Sequence, residues 1–357
     1  MTGRGIDQIL PHPSDPRLHE EYYKDARGYV RLAEAASGPI PAPVDFAYVW
    51  GDALAELARV GPAARIVNLE TSVTRSDDYW RGKGVNYRMH PDNVPVLRAA
   101  RIDCCVVANN HVLDWGFPGV LETLETLRCA GVRTAGAGRT FADAVAPAVV
   151  EVPDEGRVVV LGFGAASSGV PPAWAATPER PGVSFLPDLS AATVGRIGEA
   201  IRRIKRPRDV VVASIHWGDN WGFDVPATHV RFAHDLVRAG VDIVHGHSSH
   251  HVRPIEVFEG RLVLYGCGNF LDDYEGIHGY EEFRPDLSFA YFPVVDPATG
   301  RLAELRMGPT RIRRFQVRRA SHPDVQWLAD TINRESRRFG FRVMLDGAGD
   351  LCAILPS

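Results

Sequence analysis

Five apolar runs along this chain each lead into a polar residue of a type that does chemistry. AYVWGD reaches Asp52, ARIVNLE reaches Glu70, and CCVVANNH reaches Asn110 and His111. VVVASIHWG reaches His216, and VDIVHGHSSH reaches His247 and His250. Short runs rich in Val and Ile, bounded by turn residues, read as buried strands. In open α/β sheets, ligands sit at strand ends. Helical patterns lie between these strands: DALAELARV closed by Gly61-Pro62, a short piece from Val94 to Ala100, and PGVLETLETLRCA over 118–130. Leu121, Leu124 and Leu127 share one side of that last helix, and Gly131 ends it. SAATVGRIGEAIRRIK, with Ser190 as N-cap, and ATHVRFAHDLVRAG follow.

Beyond residue 250 the pattern becomes strand-rich. RPIEVFEGRLVLYGCGNF reads as a hairpin turning at Glu259-Gly260, and LSFAYFPVVDPATGRLAELRMGPTRIRRF as two more paired strands. A last helix is expected around Asp324–Arg338. The fold class is therefore α/β, with two packed sheets flanked by helices. Residues 1–43 read as an N-terminal extension, 44–320 as the main domain, and 321–357 as a C-terminal helix and tail packed on it. The polar loop 71–92 and the Pro/Ser-rich loop 165–189 are long enough to suggest function.

Composition narrows the class. The chain has 357 residues, 45% hydrophobic and 24% charged, with a net charge of −4. That balance fits a globular protein and gives no reason to expect a nucleic-acid partner. No run has transmembrane length, and the N-terminus is too polar and proline-rich for a signal peptide. A cytoplasmic protein without a membrane anchor is expected. Cys104 and Cys105 are neighbours in a strand, point to opposite faces, and should not form a disulfide.

The segment ANNHVLDWG sets Asn109, Asn110, His111 and Asp114 at a strand end. Two Asn favour a tight turn; a His beside them, with an Asp able to fix its tautomer, points to acid–base work. His111 and Asp114 are the candidate catalytic pair. In SIHWGDNWG, Trp217 and Trp221 read as pocket wall or as packing. VHGHSSHHVRPIE carries four imidazoles in seven residues, a pattern suited to metal binding. Strand alternation separates His247 from His250, so a turn, which Gly246 would permit, must reunite them. His245 and His251 read as outer groups. Asp52 and Glu70 are carboxylates whose burial a metal would compensate. Asp52 also suits a helix N-cap; Glu70 does not. Lys83, Tyr87 and Arg88 form a candidate group for binding a carboxylate or phosphate, or a solvated loop. Asn269, Asp272 and Asp273 follow a strand in YGCGNFLDDYEG, and a nucleophilic Cys267 would need a cation or base nearby.

Taken in order, WGD (50–52), NLET (68–71), ANNHVLDWG (108–116), GAGR (136–139), SIHWG (214–218), GHSSH (246–250) and YGCGNF (265–270) resemble the bacterial capsule-synthesis CapA family. These poly-γ-glutamate synthesis proteins are similar to calcineurin-like metallophosphoesterases. The resemblance spans roughly residues 45 to 275. It implies an α-β-β-α sandwich with a two-metal site at its edge. Asp52 matches the first-strand metal Asp and Glu70 the bridging Asp. Asn110 and His111 match the Asn-His pair, and His216, His247 and His250 the later metal histidines. Trp217 and Asn269 lie within matching motifs and join Lys83, Tyr87 and Arg88 as candidate substrate contacts. The chain departs from the pattern at Leu54, which stands where a second His ligand is usual. Ser248 and Ser249 also replace the usual His-Pro between His247 and His250.

A branch of similar proteins contains metal-dependent epimerases of lasso-peptide precursors, and this chain looks closest to it. The expected function is a metal-dependent peptide epimerase acting on a peptide or small polyamide. A metallohydrolase, or a role in poly-γ-glutamate or capsule synthesis, is the alternative. Two divalent ions (Mn, Zn, Fe or Co) about 3.5–4 Å apart are the expected cofactors. An epimerase needs a second proton-transfer group besides His111, with Asp272 and His251 as candidates.

Overall fold

The computed structural model describes residues 1–355. Three adjacent parallel strands, Gly156–Ala165, Asp209–His216 and Ile243–His247, form the spine of a seven-stranded sheet. Arg261–Leu264 continues it in parallel, and Ile255–Phe258 closes that side as the antiparallel arm of the expected hairpin. The turn uses Glu259 and Gly260, both at positive φ (50° and 77°), as a two-residue hairpin of this twist requires. A second, three-stranded parallel sheet has Cys104–Val106 between Ile66–Asn68 and Arg133–Ala135. A third, antiparallel sheet is built on Leu287–Val295 and Leu302–Arg313.

Side-chain alternation sets the layers. Val159, Val211, Ala213, Val244 and Val263 bury against the helices Ala191–Ile204 and Ala227–Arg238. Their neighbours Val160, Val212, Ile243 and Leu262 face the other way. They share a core with Cys104 and Val106 of the second sheet and Leu305 and Met307 of the third. Cys105 and Val107 point outward again, toward Val120 and Leu127 of the helix Gly116–Cys129. Helix, sheet, sheet, helix is thus the order expected from the hydrophobic pattern. Each cysteine is free, and the Cys104–Cys105 pair divides between two cores. Among the described residues no helix is long and apolar enough to cross a membrane.

Two expectations fail. DFAYVW is not a strand. The Asp45 carboxylate accepts from the backbone N–H groups of Ala47 (2.9 Å) and Tyr48 (2.8 Å), and this turn leads into the 3-10 helix Tyr48–Trp50. A local side-chain acceptor has displaced the ladder. Nor are the first residues an appendage. The helix Gly5–Ile9 places Ile6, Ile9 and Leu10 in the core at 0–1% exposure.

Candidate active site

His216 and His247 are the last registered pair of their two parallel strands, preceded by Ser214 opposite His245. Val212 and Ile243 face the core between the sheets, so a period of two carries Ser214, His216, His245 and His247 onto that same face. The second sheet delivers Glu70 just beyond Ile66–Asn68, and Asn110 and His111 just beyond Cys104–Val106. The two sheets therefore empty their polar ends into one seam.

In this seam His216 Nε2 lies 3.1 Å from Asn110 Oδ1 and 3.8 Å from Glu70 Oε1. His216 Nδ1 meets His247 Nδ1 at 2.8 Å. His247 Nε2 meets Ser214 Oγ at 3.0 Å, and that hydroxyl meets His245 Nδ1 at 2.9 Å. The second Glu70 oxygen accepts from Asn68 Nδ2 (2.8 Å), whose own oxygen accepts from Asn109 Nδ2 (2.9 Å). Asn109 Oδ1 in turn accepts from the His111 backbone N–H at 3.1 Å. Ser248, at φ 117°, reverses the chain and brings His250 back, where its Nδ1 donates to Asn269 Oδ1 at 2.9 Å. Gly246 does not make this turn; it lies within the strand. A Cβ there would stand 2.6 Å from the carbonyl oxygens of Leu264 and Tyr265.

Beside these groups stands a hydrogen-bonded cluster of His111, Asp114 and Lys83. Asp114, fully buried, accepts from His111 Nδ1 at 2.6 Å and from the Tyr87 backbone N–H at 2.7 Å. Its other oxygen takes the Lys83 ammonium, which also reaches the Asn110 carbonyl. Tyr87 packs edge-on against the His111 ring at 4.7 Å. Holding Nδ1 leaves Nε2 as the nitrogen free for proton transfer.

Burial holds His216 down at about 4 and drives His247 and His250 below the ordinary histidine range. These imidazoles are neutral at pH 7, the form that binds metal. Burial alone would raise Glu70, but nearby His216, His111 and His250 outweigh it and hold the carboxyl below its usual range. Burial also lowers Lys83, against the pull of Asp114, and pushes Asp272 up to about 7.

A stability prediction follows. Burial depresses His229, His245 and His251 to about 4 from 6.5. Between those values the unfolded chain binds more protons than the folded one, so stability falls as pH drops. Asp272, raised to about 7, opposes this as a single group. Urea midpoints measured from pH 7 to pH 4 should decline steadily and level off below about 4.

Several expected site residues lie elsewhere. Asp52 is half-exposed and binds Arg318 (3.2 Å) and the Arg319 backbone N–H (3.0 Å). Losing the strand at DFAYVW put it outside the seam. Arg88 does not face a substrate: it binds the Ser76 carbonyl and Asp77, both at 2.8 Å, and stacks on Trp115. Trp217 is core, stacked on His229 at 4.7 Å and donating to the Tyr265 carbonyl. The Tyr87 side chain is fully buried, so it can shape His111 but not contact solvent. His251 donates to its neighbour Val252 and stacks on Phe283. Burial pushes the Cys267 thiol up to about 12, which removes it as a nucleophile. Lys83 and Asn269 do lie beside the seam, on His111–Asp114 and on His250.

Sequence reading missed Asn68, Ser214, Tyr274 and Arg4. Asn68 and Ser214 lie two residues before Glu70 and His216, so strand alternation alone could have placed them. Tyr274, whose hydroxyl is 3.4 Å from His250 Nε2, carried no signal.

Among the described residues no three His, Cys, Asp or Glu side chains form a metal site by themselves. A donor set on the Nε2 side of His216 includes the Asn110 amide. Donors bound at about 2.1 Å to one tetrahedral ion stand about 3.4 Å apart. The separations of 3.1 and 3.8 Å from His216 Nε2 bracket that spacing. Glu70 and Asn110 each stand from His216 Nε2 at a spacing that suits two donors to one divalent ion, while Asp52 lies outside the seam.

Known proteins match this chain closely. The family model for bacterial capsule synthesis protein PGA_cap matches residues 1–274. A probable polyglutamine synthesis accessory protein of Mycobacterium tuberculosis is 49% identical over 345 residues, 96% of this chain and 91% of that protein. The PGA biosynthesis protein CapA of Bacillus subtilis is 30% identical over 58% of this chain and 52% of its own length. The capsule biosynthesis protein CapA of Bacillus anthracis is 29% identical over 54% and 45%. The match begins at residue 1, in keeping with a first helix buried in the core. This chain belongs to the bacterial capsule synthesis protein PGA_cap family.

Proposed function

We propose that this protein is a metal-dependent acid–base enzyme acting on the amide links of a glutamate-based polymer or peptide, in support of polymer synthesis. The observation that carries this reading is the His111–Asp114 pair, joined at 2.6 Å, beside the Glu70, Asn110 and His216 donors. The polymer class comes from the names of the relatives.

A divalent ion held by Glu70, Asn110 and His216 would supply Lewis acidity toward a carbonyl oxygen. The chain's own groups do the rest. With Asp114 holding the Nδ1 proton, His111 Nε2 takes a proton from the water that attacks the carbonyl and passes it to the departing amine. Lys83 balances the buried Asp114 charge. His247, backed by Ser214, fixes the ring of His216.

Epimerisation of a peptide α-carbon is the second reading. It needs another proton-transfer group, and Asp272 offers one: a buried carboxyl raised to about 7, with Oδ2 lacking a hydrogen-bond partner. Both readings are tested together. Purified protein should bind a divalent ion, and His216→Ala should bind it far more weakly. With γ-linked oligoglutamate, new amino groups support hydrolysis, and deuterium uptake at the α-carbon supports epimerisation. Protein that takes up no Mn, Zn, Fe or Co at equilibrium dialysis refutes both.

A further inference from the structure

A second feature lies away from the seam, on the third sheet. The strand Leu302–Arg313 turns into Gln316–Arg319, and the hairpin lines a groove of about 480 Å³ with Arg311, Arg313, Arg314, Arg318 and Arg319. Each of these arginines is exposed. Arg311 and Arg318 stand directly opposite each other across the ladder, a like-charge arrangement that destabilises a sheet. The acids around them only partly answer it. Asp286 and Asp324 hold Arg311 at 3.0 and 3.3 Å, Asp350 and Glu56 hold Arg319 at 2.9 and 3.6 Å, and half-exposed Asp52 meets Arg318 at 3.2 Å, so the shortfall lies at Arg313 and Arg314. The Arg314 guanidinium reaches only the Ser37 carbonyl, and Arg313 has no ion-pair partner among the described residues.

The turn itself is strained. Arg314 and Phe315 both sit at positive φ (55° and 54°), where hairpins use Asn-Gly. Two contacts hold it. Phe315 is fully buried, and the Glu275 carboxylate accepts from both turn amides at 3.0 and 3.1 Å. Glu275 adjoins Tyr274, whose hydroxyl approaches His250. A costly turn displaying guanidinium groups, tied to a loop of the candidate active site, needs a use for those charges.

We infer that this groove is an accessory binding site for a polyanionic carboxylate chain, which it holds while the seam works on one link. Guanidinium groups grip carboxylates in pairs of hydrogen bonds, and neither Arg313 nor the terminal nitrogens of Arg314 are engaged by a carboxylate among the described residues. The identity of the polymer as glutamate-based rests on the function proposed above; the charge complementarity does not.

Labelled poly-γ-glutamate should bind the full chain in low salt and weaken as salt rises. Arg313→Glu/Arg314→Glu should bind about tenfold more weakly or worse, and Arg313→Gln/Arg314→Gln should fall between it and the parent. Circular dichroism should match the parent, and turnover of a short oligoglutamate should be unchanged. Parent-like affinity in both folded variants overturns the inference. So does duplex DNA binding the parent as tightly as the polymer, since the groove would then be a nucleic-acid surface. Polymer binding that depends on these arginines, in a protein that cleaves and epimerises nothing, removes the enzymatic reading and leaves this one intact.

Discussion

His111→Ala should lower turnover of an amide substrate by about 10²–10⁴-fold, the range set by a positioned acid–base group. The fold should survive, because the ring occupies the seam and its backbone is held independently by Asn109. Affinity for a divalent ion should also survive, because the donors sit on Glu70, Asn110 and His216. That split separates the two roles in one experiment: His216→Ala should lose ion and activity together, His111→Ala activity alone. Asp114→Asn should approach the His111→Ala defect. An amide that turns its nitrogen toward Nδ1 holds the wrong tautomer, and the Lys83 ammonium loses its countercharge. Turnover within about tenfold of the parent in His111→Ala, with metal content unchanged, would assign His111 a structural role.

What the sequence made legible was governed by repeating local rules. Val212, Ala213 and Ser214 announce a buried strand, and period two then fixes which way His216 must point. The same rule placed Cys104 and Cys105 in separate cores. Glu70, Asn110, His111 and His216 were readable because each directly follows such a run. Asp52 was misplaced because one carboxylate, Asp45, redirected five apolar residues into a turn, and hydrophobic pattern is blind to that competition. Trp217 and Arg88 were misread for a different reason. Their types suit a pocket, but His229 and Trp115, distant in sequence, had already claimed their faces. The hairpin arginines look like an ordinary solvated strand until cross-strand register sets Arg311 against Arg318. Such long-range pairings leave no mark in a local window.

Arg4→Ala should cost about 3–5 kcal/mol of stability, read as a lower urea midpoint at an unchanged slope. Arg4 is 3% exposed and binds both Asp273 oxygens at 2.8 Å, with Glu20 at 3.0 Å on its other edge. Its guanidinium carbon lies 3.5 Å from the Tyr29 ring centre and 4.3 Å from that of Tyr87. Removing it strands two buried carboxylates and opens a gap between two aromatic faces. Arg4→Lys should recover little, because a point charge cannot serve a bidentate acid, a second acid and two stacked rings at once. A double-mutant cycle with Glu20→Ala should show strong coupling, since the second change removes one of the charges the first left stranded. The consequence should reach the chemistry as well. Tyr87 donates to Asp273 at 3.2 Å and packs on His111, so losing Arg4 loosens the wall that positions the proton-transfer ring. At a temperature where the variant is still folded, its turnover should fall while ion affinity holds. A variant as stable and as active as the parent would mean that the first residues pack on the domain without supporting it.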